Sequence, residues 1–197
     1  LSFVGFHYTA IAQDFKNPWL TPIFRQNREN LGHQLISQDK AMLKLLRVLK
    51  KGGHAAFLPD LTVKPGQAAT VIRVFGLKVS VTVLGAFLVK RQNLPVLTGV
   101  PLPCSDGTYI GKGLIPKHFP ESATEQEIAQ TCWDLVEPFI AQKPENWLWM
   151  YKHFRYRASD EPDRYPAYAN RSKPFDKLEK QLREAYATEE KSLQSQK

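Results

Sequence analysis

Cysteine is nearly missing from this chain. Cys104 and Cys132 are the only two in 197 residues, and their separation matches neither a metal-binding nor a redox spacing. Both read as small core residues of a reducing compartment. Long apolar runs are missing as well. The longest nearly apolar stretch, Val79 to Val89, contains Ser80 and Thr82. It falls far short of the roughly 20 residues that a membrane-spanning helix needs. No signal peptide is present, and position 1 is leucine rather than methionine, so the expectation is a processed chain or a piece of a longer one. Acidic residues are in the minority: 19 Asp and Glu stand against 27 Lys and Arg, for a formal net charge of +8. That balance favours an anionic partner, whether membrane surface, phosphorylated substrate or nucleic acid, and says nothing about fold. What remains is ordinary globular composition, 43% hydrophobic and 23% charged, which suits one sizeable core followed by a polar tail.

The stretch Gly52-Gly53-His54-Ala55-Ala56-Phe57-Leu58-Pro59-Asp60 organises the reading. A helix ends at the glycines, and the short apolar run from His54 to Leu58 reads as a buried strand. Pro59 cannot donate to a sheet ladder, which leaves Asp60 at the strand's carboxyl end. Open α/β sheets place their ligand crevices at that end, although a lone Asp there is more often a turn or cap residue. Upstream, strand content appears around Phe3-Val4 and from Tyr8 to Ala12. Asn17-Pro18 reads as N-cap and first residue of a helix with Leu20, Phe24 and Leu31 as its buried stripe, Trp19 and Ile23 beside it, and Gly32 closing it. His33 to Ile36 reads as a strand. Ser37 or Asp39 caps a second helix with Met42, Leu45, Leu46 and Leu49 on one face. Its Lys44, Arg47, Lys50 and Lys51 fit a solvated face, the usual fate of a charge run. The βαβαβ order predicts an α/β fold with mostly parallel strands and flanking helices.

After Asp60 the sequence predicts a long loop holding Lys64, Pro65, Gly66, Gln67 and Arg73. Ser80 is a candidate cap for an apolar helix from Val81 to about Arg91, with a strand as the alternative because the residues are β-branched. Leu94 to Pro101 and Thr108 to Leu114 read as strands joined at the Asp106-Gly107 turn. Thr124 and Glu127 form a capping box for a helix that turns Ile128, Cys132, Leu135, Val136, Phe139 and Ile140 inward, with Pro138 kinking it. Pro144 starts another helix through Trp147, Trp149, Tyr151 and His153. Aromatics mixed with Lys152, Arg155 and Arg157 suit a membrane interface, the competing reading being two tryptophans packed in the core. Residues 158–197 turn polar and end in a charged helix with Phe175, Leu178, Leu182 and Tyr186 as a thin stripe, so the expected division is an α/β domain over 1–157 and an appended segment over 158–197.

Asn17-Pro18-Trp19-Leu20, Phe57-Leu58-Pro59-Asp60, Phe75-Gly76, Leu94-Pro95-Val96 and above all Pro144-Glu145-Asn146-Trp147-Leu148-Trp149, in that order, resemble the bacterial lipid A biosynthesis lauroyl/myristoyl acyltransferases of the lysophospholipid acyltransferase superfamily. The resemblance runs from about Tyr8 to Arg157. It implies a glycerolipid-acyltransferase-like core and transfer of a fatty acyl chain from acyl-carrier protein, or another acyl thioester donor, to a lipid A precursor or related glycolipid. It implies the cytoplasmic face of the bacterial inner membrane, anionic lipid as partner, and no cofactor or metal. Asn17, Lys16, Asp60 and Arg73 fall where substrate would bind, with Asn17 and Asp60 each following a strand's carboxyl end.

The family's His-x-x-x-x-Asp/Glu dyad, whose His acts as base on the acceptor hydroxyl, has no match. Five residues after His7, His33, His54, His118 and His153 stand Ala12, Gln38, Pro59, Ala123 and Ala158. Further departures are Gln13 where the family has arginine, Leu61 where it has glutamine, and Tyr151 where a histidine is common. The expectation is an acyltransferase piece lacking its N-terminal part and inactive alone. A catalytically inactive lipid-binding relative is the alternative. No zinc spacing, RNA-binding aromatic motif or helix-turn-helix signal supports a nucleic-acid partner.

Overall fold

A computed structural model of the chain describes residues 5–66, 68–161 and 164–194; the side chains of 186 and 189–194 fall outside it. The candidate strand at Phe3-Val4, Gln67 and the stripe residue Tyr186's side chain therefore lie outside the described residues. The protein is a mixed α/β chain that divides into two compact units, residues 1–58 and 59–197.

In the first unit the βαβαβ pattern appears as β1 (Thr9–Ile11), α1 (Leu20–Glu29), β2 (Gln34–Ile36), α2 (Ala41–Lys50) and β3 (Ala55–Ala56). The strands pair parallel in the order β2-β1-β3, with Thr9 opposite both Gln34 and Ala55. Leu45 of α2 is fully buried, while Met42 is exposed. The stripe expected on α1 is not buried: Trp19, Leu20, Ile23, Phe24 and Leu31 are all exposed, and α1 has no buried residue. Polar contacts hold it instead. Arg25 Nη1 donates to the Leu35 carbonyl (3.1 Å), Glu29 accepts the Leu35 N–H (3.3 Å), and the two side chains pair with each other at 3.3 Å. The helix starts later than expected, at Leu20, because Asn17 Oδ1 accepts the Trp19 N–H in a turn that precedes it. Neither Ser37 nor Asp39 caps α2; Lys40, in the left-handed region, takes the N-cap place, and Ser37 Oγ accepts from Lys44 Nζ.

The second unit departs from the parallel expectation. β4 (Ala69–Val74) and β5 (Leu77–Thr82) form an antiparallel hairpin that was not expected, while β6 (Gly99–Pro103) and β7 (Tyr109–Gly113) form the antiparallel hairpin that the Asp106-Gly107 signal predicts. The expected long loop is thus half strand, and Arg73 sits within β4. Ser80 is fully buried in β5 and caps nothing; the helix α3 begins later, at Leu84–Gln92. Alternation explains the misreading. Val71, Ile72, Val74, Val79 and Val81 are all buried because the hairpin is covered on both faces, so the run carries no period of two. The Asp106-Gly107 turn and the Thr124–Glu127 capping box form as expected, the latter opening α4 (Glu125–Gln142). On α4 the inward stripe is rotated. Trp133 is fully buried beside Ile128 and Val136, and Cys132 and Leu135 are half-buried. Burial pushes the Cys132 thiol up, against a weaker opposing bond from Thr98, as befits an inert core cysteine.

Two residues each from β8 (Tyr156–Arg157) and β9 (Asn170–Arg171) pair parallel before α5 (Lys173–Gln194). α5 is anchored more deeply than a thin surface stripe. Phe175 is fully buried with Leu178 against Ala69, Val71 and Ala158. Among the described residues no helix is long and apolar enough to cross a membrane.

Candidate functional site

The segment that follows α4 does not form the single helix that Pro144 suggests. Two 3-10 turns, Pro144–Asn146 and Trp149–Tyr151, flank Trp147, whose own backbone is extended (φ −92°, ψ 143°). Lys152 then enters the left-handed region at φ 60°. The extended break turns the Trp147 ring inward, and that ring is the hub of the second unit. It stacks on His153 (centroids 3.9 Å, 18°) and meets Trp149 at 4.7 Å, Trp133 at 5.7 Å and Phe75 at 5.8 Å. Such tilted and offset ring pairs add to simple area burial, by about 0.5–1.5 kcal/mol each.

Polar ties hold the cluster in register. Trp147 Nε1–H donates to Asp60 Oδ2 at 3.1 Å. His153, buried at 3% exposure, places Nδ1 3.0 Å from the Asp60 carbonyl and Nε2 3.1 Å from the Leu148 carbonyl. An imidazole with one N–H donates to one of these carbonyls at a time, and the ring sits between the strand-exit turn and the Trp-Leu-Trp turn. Thr62 Oγ1 donates to the His153 carbonyl (2.7 Å), and Tyr151 donates its hydroxyl to the Thr62 carbonyl (3.3 Å).

Phe75-Gly76 is the two-residue turn of the β4–β5 hairpin, with φ of 49° and 77°. Both values lie in the left-handed region that such hairpin turns require. Glycine takes it freely; phenylalanine does so at a cost of about 1–2 kcal/mol. Its neighbours offset that cost. Glu137 Oε2 accepts the Phe75 N–H (2.7 Å) while also accepting Trp133 Nε1–H (2.6 Å), and the Phe75 ring packs edge-on to Trp133 and Trp147 and stacks on Trp149. Strain held by its surroundings in this way tends to collect at functional sites.

Of the residues singled out from sequence, Asp60, Trp147 and Trp149 come together here. Arg73 is exposed on β4. Its backbone is clasped by the Gln130 side chain, and its guanidinium donates to the Gly76 carbonyl (3.0 Å). It borders a cavity of about 570 Å³ whose wall also carries Lys78, Gln130, Glu179 and Arg183. Lys78 sits between Glu161 (2.7 Å) and Glu179 (2.5 Å), with little of the three side chains exposed. Burial pulls the Lys78 ammonium down, but the two carboxylates outweigh it and hold it above its ordinary value. Lys152 lies over the Tyr168 ring (6.0 Å), Arg155 over Tyr151 (4.9 Å), and Arg157 is half-buried in β8. Asn17 and Lys16 belong to the first unit, both exposed, with Asn17 engaged by Trp19.

Sequence reasoning missed Trp133, Glu137 and the place of His153 between the two turns. Trp133 and Glu137 stand four apart on α4, a spacing that puts them on one face. Their partner Phe75 lies 62 residues before Glu137, a distance that no local pattern carries.

The family model for bacterial lipid A biosynthesis acyltransferase matches residues 4–156. The lipid A biosynthesis lauroyltransferase of Escherichia coli (strain K12) is 27% identical over 133 residues, which cover 64% of this chain and 42% of that protein. The matched region therefore spans less than half the length of that curated relative. The three stretches that meet around Trp147 all fall inside the family match, and with most of its length covered this chain belongs to the bacterial lipid A biosynthesis acyltransferase family.

Proposed function

We propose that the chain is part of an acyltransferase that moves a fatty acyl chain from acyl-carrier protein, or another acyl thioester, to a hydroxyl of a lipid A precursor or related glycolipid. The work takes place at the cytoplasmic face of the inner membrane, on a glycerolipid-acyltransferase-like core, without metal or organic cofactor. One observation carries this reading. The separate stretches that resemble the family, around Asp60, Phe75-Gly76 and Trp147-Leu148-Trp149, converge on one aromatic cluster. Asn17, Lys16, Asp60 and Arg73 are the substrate-binding residues of this reading. Trp149, Leu148 and Met150, at 45%, 65% and 89% exposure, lie in the same short stretch of chain as Lys152, Arg155 and Arg157. Apolar side chains next to cations suit a headgroup layer, with Trp147 as the root that holds them.

The chemistry needs a base on the acceptor hydroxyl, and no histidine among the 197 residues has a carboxylate at the family spacing. These residues alone therefore bind rather than turn over. An acyl-transfer assay with acyl-carrier thioester and a lipid A precursor tests this. Turnover well above a no-protein control overturns the missing-dyad argument.

The same missing dyad, with Gln13 in place of arginine, favours a second reading: a catalytically inactive lipid-binding relative. The coding sequence adjoining Leu1 separates the two. A His-x-x-x-x-Asp/Glu there supports the enzyme, and a degenerate motif supports the binder.

A further inference from the structure

Residues 1–58 hold eight Lys and Arg against three Asp and Glu, which is +5 of the chain's +8. Charge of one sign gathered in so small a unit points to an anionic ligand there. The geometry sorts these cations into groups. Arg25 is engaged by Glu29, with Asp14 at 3.9 Å, and by the Leu35 carbonyl. Lys44 and Arg47, one turn apart on α2, face an open cleft of about 460 Å³ between α1, β2 and α2. Lys50 and Lys51, further along the same charge run, do not line it. Ser37, Gln34 and the Glu29-paired Arg25 complete the polar wall, and among the described residues no carboxylate lines the cleft. Its floor is apolar, from Leu35, Ile36 and Val48.

We propose that this cleft binds a phosphate group, with Lys44, Arg47 and Ser37 as its ligands. Ser37 Oγ accepts from Lys44 Nζ at 3.1 Å, so the serine O–H proton is free to point at a third atom. Lys44 keeps further N–H donors beyond the one it gives to Ser37. Arg47 adds a planar fork that suits two oxygens of one phosphate. A hydroxyl, an ammonium and a guanidinium together answer a tetrahedral oxyanion with several acceptors. They answer a neutral or cationic ligand poorly. The cleft is much larger than a bare phosphate, and its apolar floor leaves room for the body of a phosphomonoester or phosphodiester. This inference does not depend on acyl transfer; it concerns the first unit's own residues.

Titration of the 197-residue chain with sodium pyrophosphate, followed by amide NMR against sodium chloride of matched ionic strength, tests it. Saturable shifts at Ser37, Lys44 and Arg47 are expected. The Lys44→Gln/Arg47→Gln variant should bind at least about tenfold more weakly, since charge-assisted hydrogen bonds are lost. Lys50→Gln/Lys51→Gln removes the same charge from the last residue and the C-cap of α2 and should bind as the parent does. Shifts equal to those in chloride, or equal weakening by both variants, overturn the proposal. A second arm distinguishes the source of the phosphate. If phosphatidylcholine vesicles containing phosphatidate compete with pyrophosphate while pure phosphatidylcholine does not, the ligand is a lipid headgroup. If neither competes while pyrophosphate still binds, the cleft takes a soluble phosphate. Both outcomes leave the phosphate site standing.

Discussion

The bond between Asp60 and Trp147 is where the structure makes its most exposed claim, because it joins two stretches 87 residues apart. Asp60→Ala leaves the indole N–H facing an empty place. Trp147→Phe keeps an aromatic ring over His153 but removes the donor. Each single change also disturbs packing, so the informative quantity is the coupling in a double-mutant cycle. A hydrogen bond to a charged acceptor contributes about 1.5–3 kcal/mol. Both side chains are only half-buried, and solvent screening places the expected coupling at the lower end, about 1.5 kcal/mol. With a urea slope of about 2 kcal/mol/M, that is a difference of about 0.7 M between the midpoint shift of Trp147→Phe in the parent and in the Asp60→Ala background. Far-UV ellipticity is the readout, since the substitution alters tryptophan fluorescence directly. Asp60→Asn, which keeps a neutral acceptor, should recover about half of the coupling. Additivity of the two single changes within about 0.5 kcal/mol refutes the bond as a stabilising contact.

Lys78→Met leaves Glu161 and Glu179 facing each other without their shared cation, and should cost about 3–5 kcal/mol in chemical denaturation. Burial raises the Glu179 carboxyl, but Lys78 and Arg183 outweigh it and hold it below its ordinary value of 4.5. Its stabilisation is therefore complete above about pH 4.5 and lost as pH falls through the lower folded value; Glu179→Gln should flatten an acid melting series in that window. Gly76→Ala meets nothing within 4 Å, so its cost is backbone strain alone, about 1 kcal/mol in thermal unfolding. Thr124→Ala breaks the capping box of α4, both halves of which are formed, and should cost about 1 kcal/mol by the same measure. Binding to anionic over neutral vesicles, weakened by salt, should fall when Trp149, Lys152 and Arg155 are replaced; equal binding to both lipids removes the interfacial reading.

Much of the first unit was legible because its signals are local. The alternation of short strands with helices, the glycines after each helix and the crossover spacing predict parallel pairing, and β2-β1-β3 follows. The capping box and the Asp-Gly turn are legible for the same reason. What failed was the inference from an amphipathic pattern to burial. α1 has the pattern, yet its attachment to β2 runs through Arg25 and Glu29, which no hydrophobic template detects. The β4–β5 hairpin failed differently: covered on both faces, its strands lose the alternation that separates strand from helix. At the candidate site, Trp147 and Asp60 stood out singly. Their bond did not, because extended backbone at Trp147 within a helix-like run is decided by Trp133 and Phe75, which lie far off in sequence, and by His153, which the helical reading put on a different turn. The Phe-Gly pair is a case where local preference reads the wrong way: phenylalanine disfavours the backbone it occupies, and Glu137 and three indoles hold it there.

The Arg25–Glu29 pair on Leu35 has a consequence for how this protein meets other chains. An edge strand offers its free N–H and C=O as a template on which any extended peptide can grow. At β2 the outward N–H and C=O of Leu35 are already taken by a carboxylate and a guanidinium that imitate the missing neighbour. The sheet is thereby closed to recruitment on that side, by two charged side chains rather than by proline or a covering helix. Loss of either charge would reopen it, turning a solubility safeguard into a point where copies of the chain could zip together.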